Sequence, residues 1–192
     1  MRAFRLASPP AVCAGSGASK TPDPCLMPTP LTIRPATPAD HAAIWSILEP
    51  MIRAGDTYTI PSDLSEKDAL AYWLGADRAT FVAERDGAVL GTYYIRANQS
   101  GGGAHVCNCG YVTGAAARGQ GVAGAMCAHS LDEARARGFR AMQFNFVVST
   151  NEGAIRLWDR MGFATIGRLP GAFRHPELGY VDALVMYRAL SD

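Results

Sequence analysis

The chain has 192 residues, 48% of them apolar, and a formal charge of +1, enough for one globular domain with a full core. Charge so close to balance excludes a global field that would recruit nucleic acid or an anionic membrane, and neither is expected as a partner. The one long uncharged stretch, 97–117, is rich in Gly, Ser, Asn and Thr and is not a membrane span, while five cysteines without framework spacing fit reduced thiols and a cytoplasmic setting.

Residues 1–30 carry Pro9, Pro10, Pro22, Pro24, Pro28 and Pro30 with no periodic apolar pattern. Such a segment cannot bury enough surface to offset its ordering entropy, and it reads as a disordered N-terminal tail. Its start is basic and free of acids, faintly like a targeting peptide but without an apolar core. Met27 stands just before the domain, as an alternative start would.

From residue 31 to 192 the pattern is that of one folded domain. A short strand over 31–34 leads to Thr37-Pro-Ala-Asp40, a cap followed by Pro in the first turn of a helix. Ile44, Ile47, Leu48 and Met51 give that helix its apolar stripe. Ser65-Glu-Lys-Asp68 opens a second helix, with an acid at the third position. Strands over 80–84 and 88–96 flank Arg85-Asp86-Gly87, a tight hairpin signal. Gly101–Gly103 turns the chain into a strand over 104–113. A helix from about Gly119 carries Ala123, Cys127, Leu131 and Ala134 on one face, and Gly138 caps it behind Arg135 and Arg137. A strand over 141–148, a helix over 151–161 with Ala154, Leu157, Trp158 and Met161 inward, and strands over 163–167 and 180–190 complete the domain. The order β-α-α-β-β-β-α-β-α-β-β predicts an α/β (α+β) fold, a mixed sheet covered by helices. No internal repeat is visible.

The most informative segment joins the 104–113 strand to the next helix: Thr113-Gly-Ala-Ala-Ala-Arg118-Gly-Gln-Gly121-Val-Ala123-Gly124. A helix's first turn offers unpaired N–H groups and a partial positive charge, a site for phosphate. Small residues at Gly119, Gly121 and Ala123 let a ligand approach those N–H groups, and Arg118 adds a cation. No Gly-Lys-Ser/Thr closes the turn as in a nucleotidase loop. Gly119, Gly121 and Gly124 match the spacing G-x-G-x-x-G, but a dinucleotide turn opens a first βαβ unit, and this one follows four strands. The plain alternative is a glycine-rich loop that caps a helix.

Arg118-x-x-Gly121-x-Ala123 resembles the acetyl-CoA signature of the GNAT N-acetyltransferase superfamily. Downstream, Asn151-x-x-Ala154-x-x-Leu157-Trp158-x-x-x-Gly162-Phe163 resembles its second motif, and the resemblance spans about 31–190. It implies a mostly antiparallel sheet, splayed between the strands 104–113 and 141–148, with acetyl-CoA as co-substrate in the wedge. The pantetheine arm would pair with backbone near Tyr111, Val112 and Thr113. The pyrophosphate would sit on the turn formed by Arg118, Gly119, Gln120, Gly121, Val122, Ala123 and Gly124. Asn151 would touch the cofactor, or simply cap its helix.

Acyl transfer needs a neutral amine, a place for its proton and donors for the oxyanion. The family often carries a Glu on the 104–113 strand and a Tyr on the last helix. Here the strand has no Glu, and Trp158 stands where the Tyr is expected, with an indole N–H that is no practical acid. His105 is the candidate base, against a solvated His or a water relay. Asn108 and Asn145 sit mid-strand where Asn is costly, and they are the candidate acceptor ligands or else pins of backbone. Tyr58 and His175, in segments expected to be loops, are further acceptor-side candidates. His105, Cys107 and Cys109 alternate along one strand and lack the turn geometry of a zinc knuckle, so no metal site is expected. Asn-Cys-Gly-Tyr and Phe-Asn-Phe-Val-Val are also similar to yeast-type acetyltransferases that detoxify the proline analogue azetidine-2-carboxylate. The expected function is acetylation of a small-molecule amine, an amino or imino acid in the finest reading. A protein N-acetyltransferase and a non-catalytic acyl-CoA sensor remain the rivals, and the exposed sheet edges suggest a homodimer.

Overall fold

A computed structural model describes residues 29–190; the tail expected over 1–30 lies almost wholly outside them. Seven strands form one sheet in the order β1-β2-β3-β4-β5-β7-β6. They are β1 (Thr32–Pro35), β2 (Arg78–Arg85), β3 (Ala88–Ala97), β4 (Val106–Thr113), β5 (Ala141–Val148), β6 (Ala164–His175) and β7 (Gly179–Ala189). All pairs are antiparallel except β4–β5, so the sheet is mixed and mostly antiparallel, as expected.

Helices α1 (His41–Ala54) and α2 (Glu66–Trp73) cover one face, and α3 (Val122–Ala136) and α4 (Glu152–Arg160) the other. The strands divide their side chains by alternation. Phe81, Tyr93, Ile95, Cys107 and Cys109 join the core under α3 and α4, while Val82, Tyr94 and Val112 join the core under α1 and α2. In α1 the fully buried fourth position is Ile52, with Met51 half-buried at the rim of the stripe.

The caps follow the local chemistry. Ser65 Oγ accepts from the Asp68 N–H at 3.2 Å, and Asn151 Oδ1 accepts from the Ala154 N–H at 3.2 Å. Asp40 closes a single 3₁₀ turn ahead of α1 and accepts from the Thr37 N–H at 2.7 Å. The same carboxylate takes both terminal nitrogens of Arg34 at 2.8 Å, which ties β1 to α1 and holds the Asp40 carboxyl far below its ordinary range.

Two expectations need correction. The helix expected from Gly119 begins at Val122, because Gly119 and Gly121 adopt the left-handed backbone, with φ of 76° and 77°. The segment at Phe173, Arg174 and His175 is strand, not loop: β6 continues through Pro170 and Gly171 to His175, with a register shift between Leu169 and Phe173. Proline is tolerated there because β6 is an edge strand and the ladder is already broken by the bulge.

Candidate functional site

The parallel pairing of β4 with β5 is confined to Val106↔Ala141 and Cys107↔Met142. Beyond it the strands part, and β5 bulges between Phe144 and Val147 where it faces β7. Two cavities open into the gap. The larger, about 840 Å³, runs from α1 and the end of β4 to the starts of α3 and α4. The smaller, about 260 Å³, lies between β3–β4, β5 and the 57–59 segment. Both are bounded by Thr57, Tyr58, Tyr111, Asn151, Ala154 and Trp158, so the two meet at the split.

The α3 turn faces the larger cavity. The first α-helical bond of α3 is Ala125 N–H to Gly121 O at 3.0 Å, which leaves the N–H groups of Val122, Ala123 and Gly124 without a backbone partner among the described residues. A Cβ built at Gly119 or Gly121 would meet nothing within 4 Å, so their left-handed backbone, and not crowding, is what favours glycine. Arg118 is exposed and lines the cavity with Ala123 and Asn151. Two expected contacts are redirected. The Val122 side chain is buried in the core, so this residue offers only its N–H. Gln120 turns away, donating to Ala116 O at 3.0 Å and accepting from Arg85 at 3.1 Å. An open array of N–H groups beside a cation, reached by a long cavity, fits a pyrophosphate.

The β4 backbone at the split is divided between partners. Tyr111 N–H donates to the Tyr58 hydroxyl at 2.8 Å, and that hydroxyl donates to Tyr111 O at 3.0 Å. Main-chain groups alternate sides along a strand, so those of Val112 turn to β3, where it faces Thr92, and those of Thr113 turn to the gap. Of the three residues expected to pair with a pantetheine arm, Thr113 is therefore open, Tyr111 is engaged by Tyr58, and Val112 contributes its side chain. Burial holds the Tyr58 hydroxyl well above the ordinary tyrosine range, so it stays neutral. The Tyr111 ring lies on the other face, its hydroxyl 2.6 Å from Ser130 Oγ and its ring 5.0 Å from Trp158.

Asn108 lines the smaller cavity and is 8% exposed. Its Nδ2 donates across the split to Gln143 O at 2.9 Å, which leaves Oδ1 without a partner among the described residues. Asn145 also lines that cavity, but at the β5 bulge it is exposed rather than buried. Its carboxamide is engaged: it exchanges two bonds with Asn98 at 3.1 and 2.6 Å and accepts from Gln143 at 2.8 Å. His105 precedes β4 at the closed end of the β4–β5 pair, exposed and against Gly102 O at 3.1 Å, and lines neither cavity. The base expected there stands away from the split, because the strand, expected from 104, begins two residues later at Val106 and leaves His105 outside it. His175 borders the larger cavity, not the acceptor side, with Nδ1 accepting from Glu177 and Leu178 N–H.

Other residues escaped the sequence reading. Tyr72, Tyr94 and Arg96 line the smaller cavity. A Cβ at Gly110 would fall 2.6 Å from the Tyr94 ring, so this glycine is what lets that ring lie across β4. No Asp, Glu or His lines this cavity among the described residues, and none of these residues assembles in threes as a metal site.

The fold is shared with solved acetyltransferases. A GCN5-related N-acetyltransferase from Kribbella flavida superposes with a TM-score of 0.79 at 42% identity, covering 83% of this chain and 97% of that one. A GNAT-superfamily phosphinothricin acetyltransferase from Sinorhizobium meliloti, solved with acetyl-CoA, shares the fold at 23% identity with a TM-score of 0.74, covering 84% and 89%. The chain belongs to the Acetyltransferase (GNAT) family, which it matches over residues 41–163. It is also 34% identical over 110 residues to the N-acetyltransferase aca1 of Schizosaccharomyces pombe, a match covering 57% of this chain and about half, 53%, of that relative's length.

Proposed function

We propose that this protein transfers the acetyl group of acetyl-CoA to the amine of a small metabolite, an amino or imino acid being the favoured acceptor class. The observation that carries the reading is the meeting of two unlike cavities at the split. The larger offers the α3 N–H groups, Arg118 and Asn151 to a cofactor. Acetyl-CoA supplies an activated acyl carbon there; an N–C bond forms as the C–S bond breaks, one proton leaves the amine, and coenzyme A departs as the thiol. The smaller offers Asn108 Oδ1 to an amine, with water as the proton's first receiver because no Asp, Glu or His among the described residues lines it.

A cavity of about 260 Å³, walled on one side by the 57–59 segment, suits a small acceptor better than a peptide chain. The buried free thiols Cys107, Cys109 and Cys127 suit the expected cytoplasmic setting, and no helix among the described residues is long and apolar enough to cross a membrane. A homodimer belongs to the same proposal: the β6–β7 hairpin exposes Ile166, Leu169, Leu178 and Tyr180 beside an unpaired edge. The test is a thiol-release assay with acetyl-CoA across amino acids, imino acids, polyamines and short peptides. At least one small acceptor is expected to turn over. Tight acetyl-CoA binding with no release from any acceptor would instead favour a sensor, the reading that Trp158 keeps open.

A further inference from the structure

Three arginines each hold a buried N–H group with no hydrogen-bond partner among the described residues, and two of them are Arg78 and Arg96. These two face each other in the β2–β3 register, and Arg96 in turn faces Asn108 in the β3–β4 register. Paired positions share one sheet face. Arg78, Arg96 and Asn108 therefore form a row across three strands, and its last two members line the smaller cavity.

Like charges opposite each other destabilise a sheet. Here one carboxylate serves both: Asp77 accepts from Arg78 at 2.8 and 3.1 Å and from Arg96 at 3.1 Å. The bond from Arg78, then that from Arg96, holds the Asp77 carboxyl at about 2 against desolvation, so it is ionised at any working pH. Two cations against one anion leave a positive excess. Arg78 is packed under the Tyr72 and Tyr94 rings at 5.1 and 4.7 Å with its side chain only 7% exposed. Arg96, 33% exposed and holding a single bond to protein, is the member free to meet a ligand.

The smaller cavity thus presents, on neighbouring strands, a guanidinium whose single bond to protein runs from Nη1 to Asp77, and a carbonyl oxygen, Asn108 Oδ1, without a partner among the described residues. A guanidinium takes a carboxylate in a planar fork, and an amide oxygen takes an N–H. An amino or imino acid carries both partners two bonds apart. Resting on the acetyl-transfer reading above, we propose that Arg96 selects acceptors by binding their carboxylate, while the amine faces Asn108. Arg78 and Asp77 are positioning residues that keep the Arg96 guanidinium against the cavity.

The test uses matched acceptors that share an amine and differ only in the acid, proline and alanine against their amides, with rates expressed per neutral amine. The wild-type chain is expected to favour the acid by about ten- to a hundredfold in kcat/KM. Arg96→Gln should shrink that ratio to about threefold or less, and Arg96→Lys should keep part of it, since lysine supplies charge without the fork. A wild type indifferent to the acid, or an Arg96→Gln variant that slows acid and amide equally, overturns the proposal. If the variant does not fold, the wild-type pairs decide alone. Thermal upshift of the coenzyme A complex by acid against amide supplies a readout that needs no turnover. A carboxylate-dependent upshift without thiol release supports the anchor and overturns acetyl transfer. Release without acid preference overturns the anchor and leaves transfer standing.

Discussion

Replacing Tyr58 with Phe removes one oxygen and keeps the ring, whose edge packs 6.0 Å from Trp73. The lost hydroxyl accepts from Tyr111 N–H at 2.8 Å and donates to Tyr111 O at 3.0 Å, so both main-chain groups lose the partner they have at the split among the described residues. A buried polar group left unsatisfied costs about 1–3 kcal/mol. Water entering through the adjoining cavities offsets some of that, so about 1–3 kcal/mol is expected for the pair of bonds together rather than for each. In a domain of this size each kcal/mol shifts the melting temperature by about 2–4 °C, so a drop of roughly 2–12 °C is expected by calorimetry. Coenzyme A gives the sharper comparison. If its amide-bearing arm takes over the Tyr111 groups, the gap between wild type and Tyr58→Phe narrows when the cofactor saturates both. An unchanged melting temperature without cofactor would refute the reasoning, since it would mean that the hydroxyl holds nothing.

Three other outcomes follow from the same geometry. Gly121→Glu should abolish acetyl-CoA binding in titration calorimetry, while Gly121→Ala, which shares the left-handed strain of about 1–2 kcal/mol without the charge, should lose stability but retain measurable affinity; full affinity in the Glu variant would put the pyrophosphate elsewhere. Asn108→Ala should lower kcat/KM for the acceptor about ten- to a hundredfold with acetyl-CoA affinity nearly intact, whereas Asn145→Ala, whose carboxamide is bound to Asn98 and Gln143, should stay within about threefold; the reverse ranking would overturn the assignment of Oδ1. The rate should rise with pH along the acceptor amine's own titration, because Tyr58 and Tyr94 are both pushed up by burial and stay neutral through that range; a bell with an enzyme pKa between 6 and 8 would reveal a base that the cavity does not contain.

What the sequence disclosed depended on whether the signal was local. The α3 turn was legible because unpaired N–H groups, small residues and a cation occupy consecutive positions, and only its start was misplaced, by the left-handed backbone at Gly119 and Gly121. The Asn151 cap and the Ser65 cap were legible for the same reason. Arg96 was not. The Arg85-Asp86-Gly87 turn pairs Arg85 with Ala88, and counting from there sets Arg78 opposite Ile95, on the wrong face. A bulge between Ala83 and Glu84 shifts the ladder by one residue, so that Arg78 meets Arg96 instead. A second bulge leaves Asn145 exposed, though still lining the smaller cavity, just where apolar neighbours suggested burial. Periodicity carries no mark of a single inserted residue, and both bulges fall where the site is built.

The cationic row also bears on how a cavity without a carboxylate base handles an amine. An ammonium group entering beside Arg96, with Arg78 buried behind it, meets like charge, matched only in part by Asp77, in a space walled by Tyr94, Phe144 and Trp158. Both burial and neighbouring cations disfavour the protonated amine, so its pKa in the site should fall below its value in water. The acceptor's own carboxylate works against that shift while it binds, yet it lies on the Arg96 side and leaves the amine facing a neutral oxygen. Asn108 supplies direction without charge, since Oδ1 accepts an N–H and cannot keep the proton. A strong base is then unnecessary: the site needs only to hold the neutral amine once a water has taken its proton. An Asn108→Asp variant separates the two demands. Its carboxylate would stabilise the ammonium form, pair with Arg96 and compete with the acceptor's acid. For amino acids kcat/KM should therefore fall further than in Asn108→Ala, despite the conserved shape, and the pH–rate profile should move to higher pH. A faster enzyme at neutral pH would instead mean that proton removal limits the rate and that the absent base is the site's missing part.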